Sequence, residues 1–142
     1  MKTTGARRGH ALHAHTADEI LEAWGPTREA CLEEAASGLA ASVARIDRAG
    51  WWWHREVALT GTDEEILVAL LEEIIFHLDA DGAVPTHVSV TRHGDGVLAQ
   101  LWLTDLHRVT TFGAAPKGIS YSQLRFGQDE DDRWHCRATI DV

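Results

Sequence analysis

Cysteine, basic side chains and long apolar runs are all scarce in this 142-residue chain, and each scarcity closes off a class of protein. The two cysteines, Cys31 and Cys136, stand far apart and in no C-x-x-C spacing. Neither a zinc knuckle nor a disulfide framework is indicated, and reduced thiols in the cytoplasm are expected. Only 13 Lys and Arg face 22 Asp and Glu, a formal charge of -9 with the 9 His counted as neutral. Binding to a phosphate backbone draws its affinity from clustered Lys and Arg that displace counterions, so nucleic acid is not expected as the main ligand. An acidic surface suits a basic protein partner or a cation better. The longest apolar run is broken by Glu72 and Glu73, and the stretch before Gly9 and His10 carries no signal-peptide core, so neither a membrane span nor export is expected. A G-x-x-x-x-G-K-[ST] loop for cradling phosphates is also missing.

What is present is an ordinary globular balance, 44% hydrophobic and 25% charged, at a length that suits one domain with its own core. Residues 1–9 are polar and locally basic and read as a loose leader; 10–142 reads as the domain. After Pro26, Leu32, Ala35, Ala36, Leu39, Ala40 and Val43 recur at spacings of three and four, which predicts a helix capped by Thr27. Thr62 with Glu65 forms a capping box ahead of the stripe Ile66, Leu67, Leu70, Leu71, Ile74, Ile75 and Leu78, and Asp81-Gly82 ends that second helix. Between the helices, alternation predicts a strand with Trp51, Trp53, Val57 and Leu59 on the core face and Trp52, His54 and Glu56 opposite. A hairpin follows, from Thr86–Thr91 through Gly94-Asp95-Gly96 to Val97–Leu103, then a long loop over Asp105–Pro116. Ile119–Phe126 and Arg133–Val142 read as two more strands; in the last, Trp134, Cys136, Ala138, Ile140 and Val142 share one phase and His135, Arg137, Thr139 and Asp141 the other. This order predicts an α+β domain with two helices packed on a mostly antiparallel sheet.

Few side chains point to chemistry. His15-Thr16-Ala17-Asp18 holds two functional groups within four residues, although an Asp after a Thr also commonly caps a turn. At the other end, the Asp141 side chain and the α-carboxylate of Val142 put hard oxygen donors together, and sheet pairing that brought Asp18 beside them would make a three-carboxylate site. Such donors favour Mg²⁺, Ca²⁺ or Mn²⁺ over Zn²⁺. A solvated, frayed terminus is the alternative. The spacing His10-x-x-His13-x-His15 lacks a second cluster to complete a transition-metal site. Pairs such as Cys31 or Ser122 with a His have no spacing that supports nucleophilic catalysis, and Asp129–Asp132 reads as a solvated turn. Trp51-Trp52-Trp53 is divided between core packing and an interface anchor.

Taken together, His15-Thr16-Ala17-Asp18 followed by Ala23-Trp24-Gly25, the helix segment Leu67–Ile75, Lys117-Gly118-Ile119-Ser120-Tyr121 and the terminal Ile140-Asp141-Val142 resemble the archease family nearly end to end. Archeases are small accessory proteins of RtcB-type RNA-splicing ligases. The resemblance implies a compact SHS2-containing α+β domain that promotes guanylylation of the ligase by GTP and its repeated turnover in tRNA splicing or RNA repair, without being the ligase. It implies a bound divalent metal at Asp18, Asp141 and the Val142 carboxylate, the groups reached above from the residues alone, and marks His15, Lys117 and Tyr121 as partner-facing. The chain departs from the family pattern at Glu19-Ile20, at Ser122 where His is usual, and at Leu103-Thr104-Asp105-Leu106.

Two other readings compete. One is a free-standing metal-dependent hydrolase or phosphotransfer enzyme using Asp18, Asp141 and His15. The other is a metal-free, chaperone-like module that binds through its tryptophans. A C-terminal tag separates the terminal-carboxylate idea from the rest, because it converts the Val142 carboxylate into an amide. Calorimetric titration with Ca²⁺ or Mg²⁺ is expected to show weaker binding by the C-terminally tagged chain than by the N-terminally tagged one. Equal affinities would remove Val142 from the ligand set.

Overall fold

Local signals start both helices. Thr62 Oγ1 accepts the Glu65 N–H at 3.1 Å while the Glu65 carboxylate accepts the Thr62 N–H at 2.8 Å, so the capping box is complete. Thr27 Oγ1 likewise accepts the Ala30 N–H at 3.0 Å. A computed structural model describes residues 7–14, 18–46 and 50–142 of the chain. In order these form β1 (Gly9–Ala14), β2 (Asp18–Gly25), α1 (Arg28–Val43), β3 (Ala44–Arg45), β4 (Trp53–Leu59), α2 (Asp63–Phe76), β5 (Ala83–His93), β6 (Gly96–Asp105), β7 (Thr110–Thr111), β8 (Gly118–Gln128) and β9 (Trp134–Asp141). After α2 the chain tightens into a π turn, His77–Asp81, which Gly82 closes in the left-handed conformation (φ 60°) that glycine adopts without strain. His77 is buried there, with Nδ1 2.7 Å from the Asp81 carboxylate and Nε2 2.9 Å from that of Glu73.

All pairings are antiparallel, and the strands divide into a four-stranded sheet ordered β1-β2-β9-β8, a three-stranded sheet ordered β4-β6-β5 and a ribbon of β3 with β7. α1 packs against β2 of one sheet and β5 of the other, and α2 against β8 and β6. Leu21 and Ala23 of β2, Ala138 and Ile140 of β9, Ala99 and Leu101 of β6 and the apolar stripes of both helices meet in one core. The α+β class is as expected from the sequence; the sequence reading did not separate the strands into two main sheets. Among the described residues no helix is long and apolar enough to cross a membrane.

Three local expectations change. Trp51 is not on the core face: it is 57% exposed, because β4 pairing begins only at Trp53 opposite Leu103 and alternation has no meaning beyond the ladder. Trp52, outward as expected, carries the Arg108 guanidinium 3.7 Å above its ring. Asp105–Pro116 is not one long irregular loop, since Leu106–Arg108 forms a 3₁₀ turn and Thr110–Thr111 pairs with β3. Of the stretch expected as leader, residues 1–6 lie outside the described residues, while Gly9 opens β1 and Arg8 reaches Glu33 at 2.8 Å and Glu34 at 2.6 Å.

Two substitutions test this account of the elements. Thr62→Ala is expected to lower stability by about 1 kcal/mol through loss of the cap, read from the urea midpoint. Gly96→Ala should cost more, because a Cβ there would collide with the Leu59 carbonyl oxygen where β6 passes β4. A Gly96→Ala chain as stable as wild type would contradict that packing.

Candidate functional site

The register of β2 with β9 runs from Gly25 opposite Trp134 to Asp18 opposite Asp141. Leu21, Ala23, Ala138 and Ile140 face the core, so by alternation Asp18, Ile20, Glu22 and Trp24 with Asp141, Thr139, Arg137 and His135 belong to the outer face. Asp18 and Asp141 therefore rise from a single rung, where directly opposite Cβ atoms are about 4.5–5.5 Å apart. Asp18 is half-buried and Asp141 exposed. On the other side of Asp141 stands Gly118 of β8, which has no side chain to cover it, and the Lys117 N–H donates to the Asp141 carbonyl at 2.7 Å. The next residue, Val142, turns its side chain against the core and so anchors the backbone that carries the rung.

Like charges directly opposite one another weaken a sheet, and a cation beside them offsets that repulsion. The donor chemistry of the rung, two carboxylates with no thiolate or imidazole, fits a hard divalent ion such as Mg²⁺, Ca²⁺ or Mn²⁺. Among the described residues no group of three or more His, Cys, Asp and Glu side chains is gathered for a metal.

Of the residues marked as partner-facing, His15 lies in 15–17, outside the described residues. Lys117 and Tyr121 flank the same edge as Asp141: Lys117 is exposed just ahead of β8, and Tyr121 is 68% exposed at the start of a bulge. In that bulge the register passes from Ser120 opposite Thr139 to Arg125 opposite Arg137, and Gln123 takes a left-handed φ of 59°. Ser122, the departure noted in the sequence, lies within it, its carbonyl accepting the Thr139 hydroxyl at 3.3 Å and its N–H donating to Ser120 Oγ at 3.1 Å.

Other candidates receive structural explanations. His10 Nδ1 lies 3.0 Å from the Glu34 carboxylate, while His13 Nε2 lies 3.2 Å from one Glu22 oxygen and His135 Nε2 3.1 Å from the other. This His–Glu–His cluster was not found from sequence, because it needs the pairing of β1, β2 and β9 to be known; only the phase of His135 along its strand was readable. Cys31 and Cys136 are free and buried, and the Cys31 pKa is pushed up by hydrogen bonding to the Cys136 thiol and by burial, the opposite of an activated nucleophile. Asp129 does close a turn. Slight desolvation works against ionisation there, but the N–H groups of Asp131 and Arg133 and the Arg133 guanidinium outweigh it and hold the carboxyl below its usual range.

Comparison with known proteins adds the family. The model of the archease protein family (MTH1598/TM1083) matches residues 11–142. The chain belongs to the archease family. It is 37% identical over 139 residues to "Probable protein archease" of Mycobacterium tuberculosis, a match found in strain CDC 1551 / Oshkosh and again in strain ATCC 25618 / H37Rv, covering 97% of this chain and 77% of the relative. The solution structure of Methanobacterium thermoautotrophicum protein 1598 superposes with a TM-score of 0.73 at 18% identity, over 94% of this chain and 99% of that one. The crystal structure of an archease from Thermotoga maritima, described as a possible chaperone, gives 0.66 at 22% identity, over 90% and 93%. At those identities the two structures speak for the fold alone, and the archease fold is the two-sheet, two-helix arrangement described above.

Proposed function

We propose that this archease-family chain is a non-catalytic activator of an RtcB-type RNA ligase, and that it works with a divalent cation held by Asp18, Asp141 and the α-carboxylate of Val142. In this reading it promotes guanylylation of the ligase by GTP and allows the ligase to turn over repeatedly in tRNA splicing or RNA repair. The observation that carries the reading is the acidic rung, two aspartates directly opposite on the outer face of the sheet, at the edge that also carries the exposed Lys117 and Tyr121.

A cation held there supplies positive charge for orienting and neutralising phosphate oxygens. The chain's own contribution is positional: the β2–β9 ladder fixes the separation of the two carboxylates, and the Lys117 N–H on the Asp141 carbonyl fixes the neighbouring edge. Lys117, Tyr121 and His15 contact the partner. The net charge of -9 favours encounter with a cleft built to hold RNA and nucleotide, an effect that weakens as salt rises. Guanylyl transfer itself stays with the ligase, in keeping with the lack of a G-x-x-x-x-G-K-[ST] loop in this chain. One observation favours a second reading, a metal-free chaperone-like module: Trp51 and Trp52 are 57% and 53% exposed on the other sheet's side of the molecule.

The test is a guanylylation and multiple-turnover assay with the RtcB-type ligase from the same source. The wild-type chain is expected to accelerate guanylylation, and Asp141→Asn to lose at least about tenfold of that stimulation, as expected for a lost charged ligand. A ligase that guanylylates and cycles equally well without the chain contradicts the proposal. Full stimulation by Asp141→Asn, or in excess chelator, supports the metal-free module. Nucleotide or RNA hydrolysis by the isolated chain with Mg²⁺ or Mn²⁺ supports the enzyme reading.

A further inference from the structure

We propose that the rung formed by Arg125 and Arg137, on the same outer face as the two aspartates, is a binding site for a phosphate-type oxyanion. The two arginines stand directly opposite each other on β8 and β9. Two guanidinium groups facing across a ladder repel, and such pairs weaken a sheet unless an anion lies between them. The natural neutralising group is Glu22, opposite Arg137 on the β2 side. Both Glu22 oxygens, however, are engaged by His13 and His135, at 3.2 and 3.1 Å.

Arg137 instead donates from Nη2 to the neutral Gln123 Oε1 at 3.1 Å, and its Nε is buried and has no hydrogen-bond partner among the described residues. A buried unpaired N–H of a charged group is costly, and beside a second arginine that cost favours binding of an acceptor. Arg125 is exposed, and among the described residues neither arginine has a carboxylate within ion-pair distance. Glu64 and Asp129 line the same groove as Arg125, and Asp129 is already paired with Arg133 at 3.2 Å.

The backbone is arranged to make this pair. Thr139 faces Ser120, so an unbroken ladder would set Ser122 opposite Arg137; the bulge puts Arg125 there instead, at the expense of a left-handed Gln123. That same Gln123 then orients the Arg137 guanidinium. Planar guanidinium forks match the oxygens of phosphate and carboxylate groups, and two of them side by side suit the higher charge of a phosphate-type oxyanion, the ligand class proposed. The site does not depend on a cation at Asp18 and Asp141, four residues further along β9.

Titration calorimetry of the full chain at low ionic strength in EDTA, with pyrophosphate and separately with ATP, tests the site free of divalent ions. Saturable binding of pyrophosphate is expected, weakened about tenfold or more by Arg137→Gln and by Arg125→Gln, since each removes a charge-assisted donor set. Arg125→Gln alters an exposed side chain and keeps the test valid if Arg137→Gln does not fold. Arg55→Gln, an exposed arginine of β4, should leave binding unchanged. Tighter binding of ATP than of pyrophosphate assigns the oxyanion to a nucleotide, and equal binding to a phosphate group alone. No saturable binding, equal binding by both rung variants and wild type, or an equal loss in Arg55→Gln overturns the proposal.

Discussion

The antiparallel pairing of β2 with β9 ties Asp18–Gly25 to Trp134–Asp141 and forms the middle of the four-stranded sheet. Its inner face supplies Leu21, Ala23, Ala138 and Ile140 to the core, each of the larger side chains contributing on the order of 1.5–3 kcal/mol of burial. Because the side-chain period of a strand is two, a slip of one residue would turn those groups out and the aspartates in. The register that buries the core is thus the register that exposes the acidic rung. Core packing and site geometry are one constraint, and the helices, which bridge this sheet to the three-stranded one, brace it from behind.

The two open faces of the molecule differ in kind. Along the four-stranded sheet, an acidic rung, the His13–Glu22–His135 cluster and an arginine rung follow one another within a few residues. The three-stranded sheet presents rings: Trp102 lies 4.9 Å from His54 and 5.0 Å from His87, and Arg108 covers Trp52. The charge of -9 is therefore an average over a surface with distinct ionic and aromatic regions. Net charge describes the whole surface and says little about a single rung.

What could be read in the sequence was local. The capping box at Thr62 and Glu65, the Thr27 cap and both apolar stripes need only neighbours a turn away, and all are present. The phase of β9 was equally local, so Asp141, Thr139, Arg137 and His135 were correctly grouped on one face. That Asp18 stands opposite Asp141 depends on pairing across most of the chain, which alternation alone does not fix. The β8 bulge was invisible because no Gly or Pro marks it; Gln123 takes the left-handed conformation under the constraint of its surroundings. Trp51 was misassigned because alternation was extended past the end of a ladder, and the division into two sheets depends on contacts between elements that no local pattern encodes.

The central proposal is that the Asp18–Asp141 rung of the β2–β9 ladder holds a divalent cation. It is tested most directly by calorimetric titration of Ca²⁺, Mg²⁺ and Mn²⁺ into wild type, Asp18→Asn, Asp141→Asn and the double variant, with folding of each checked by circular dichroism. The account predicts saturable binding by wild type, a loss of about tenfold or more in each single variant, and a double variant little worse than either, because both residues serve one ion. Absence of divalent binding by wild type, or single variants that bind like wild type, would contradict it.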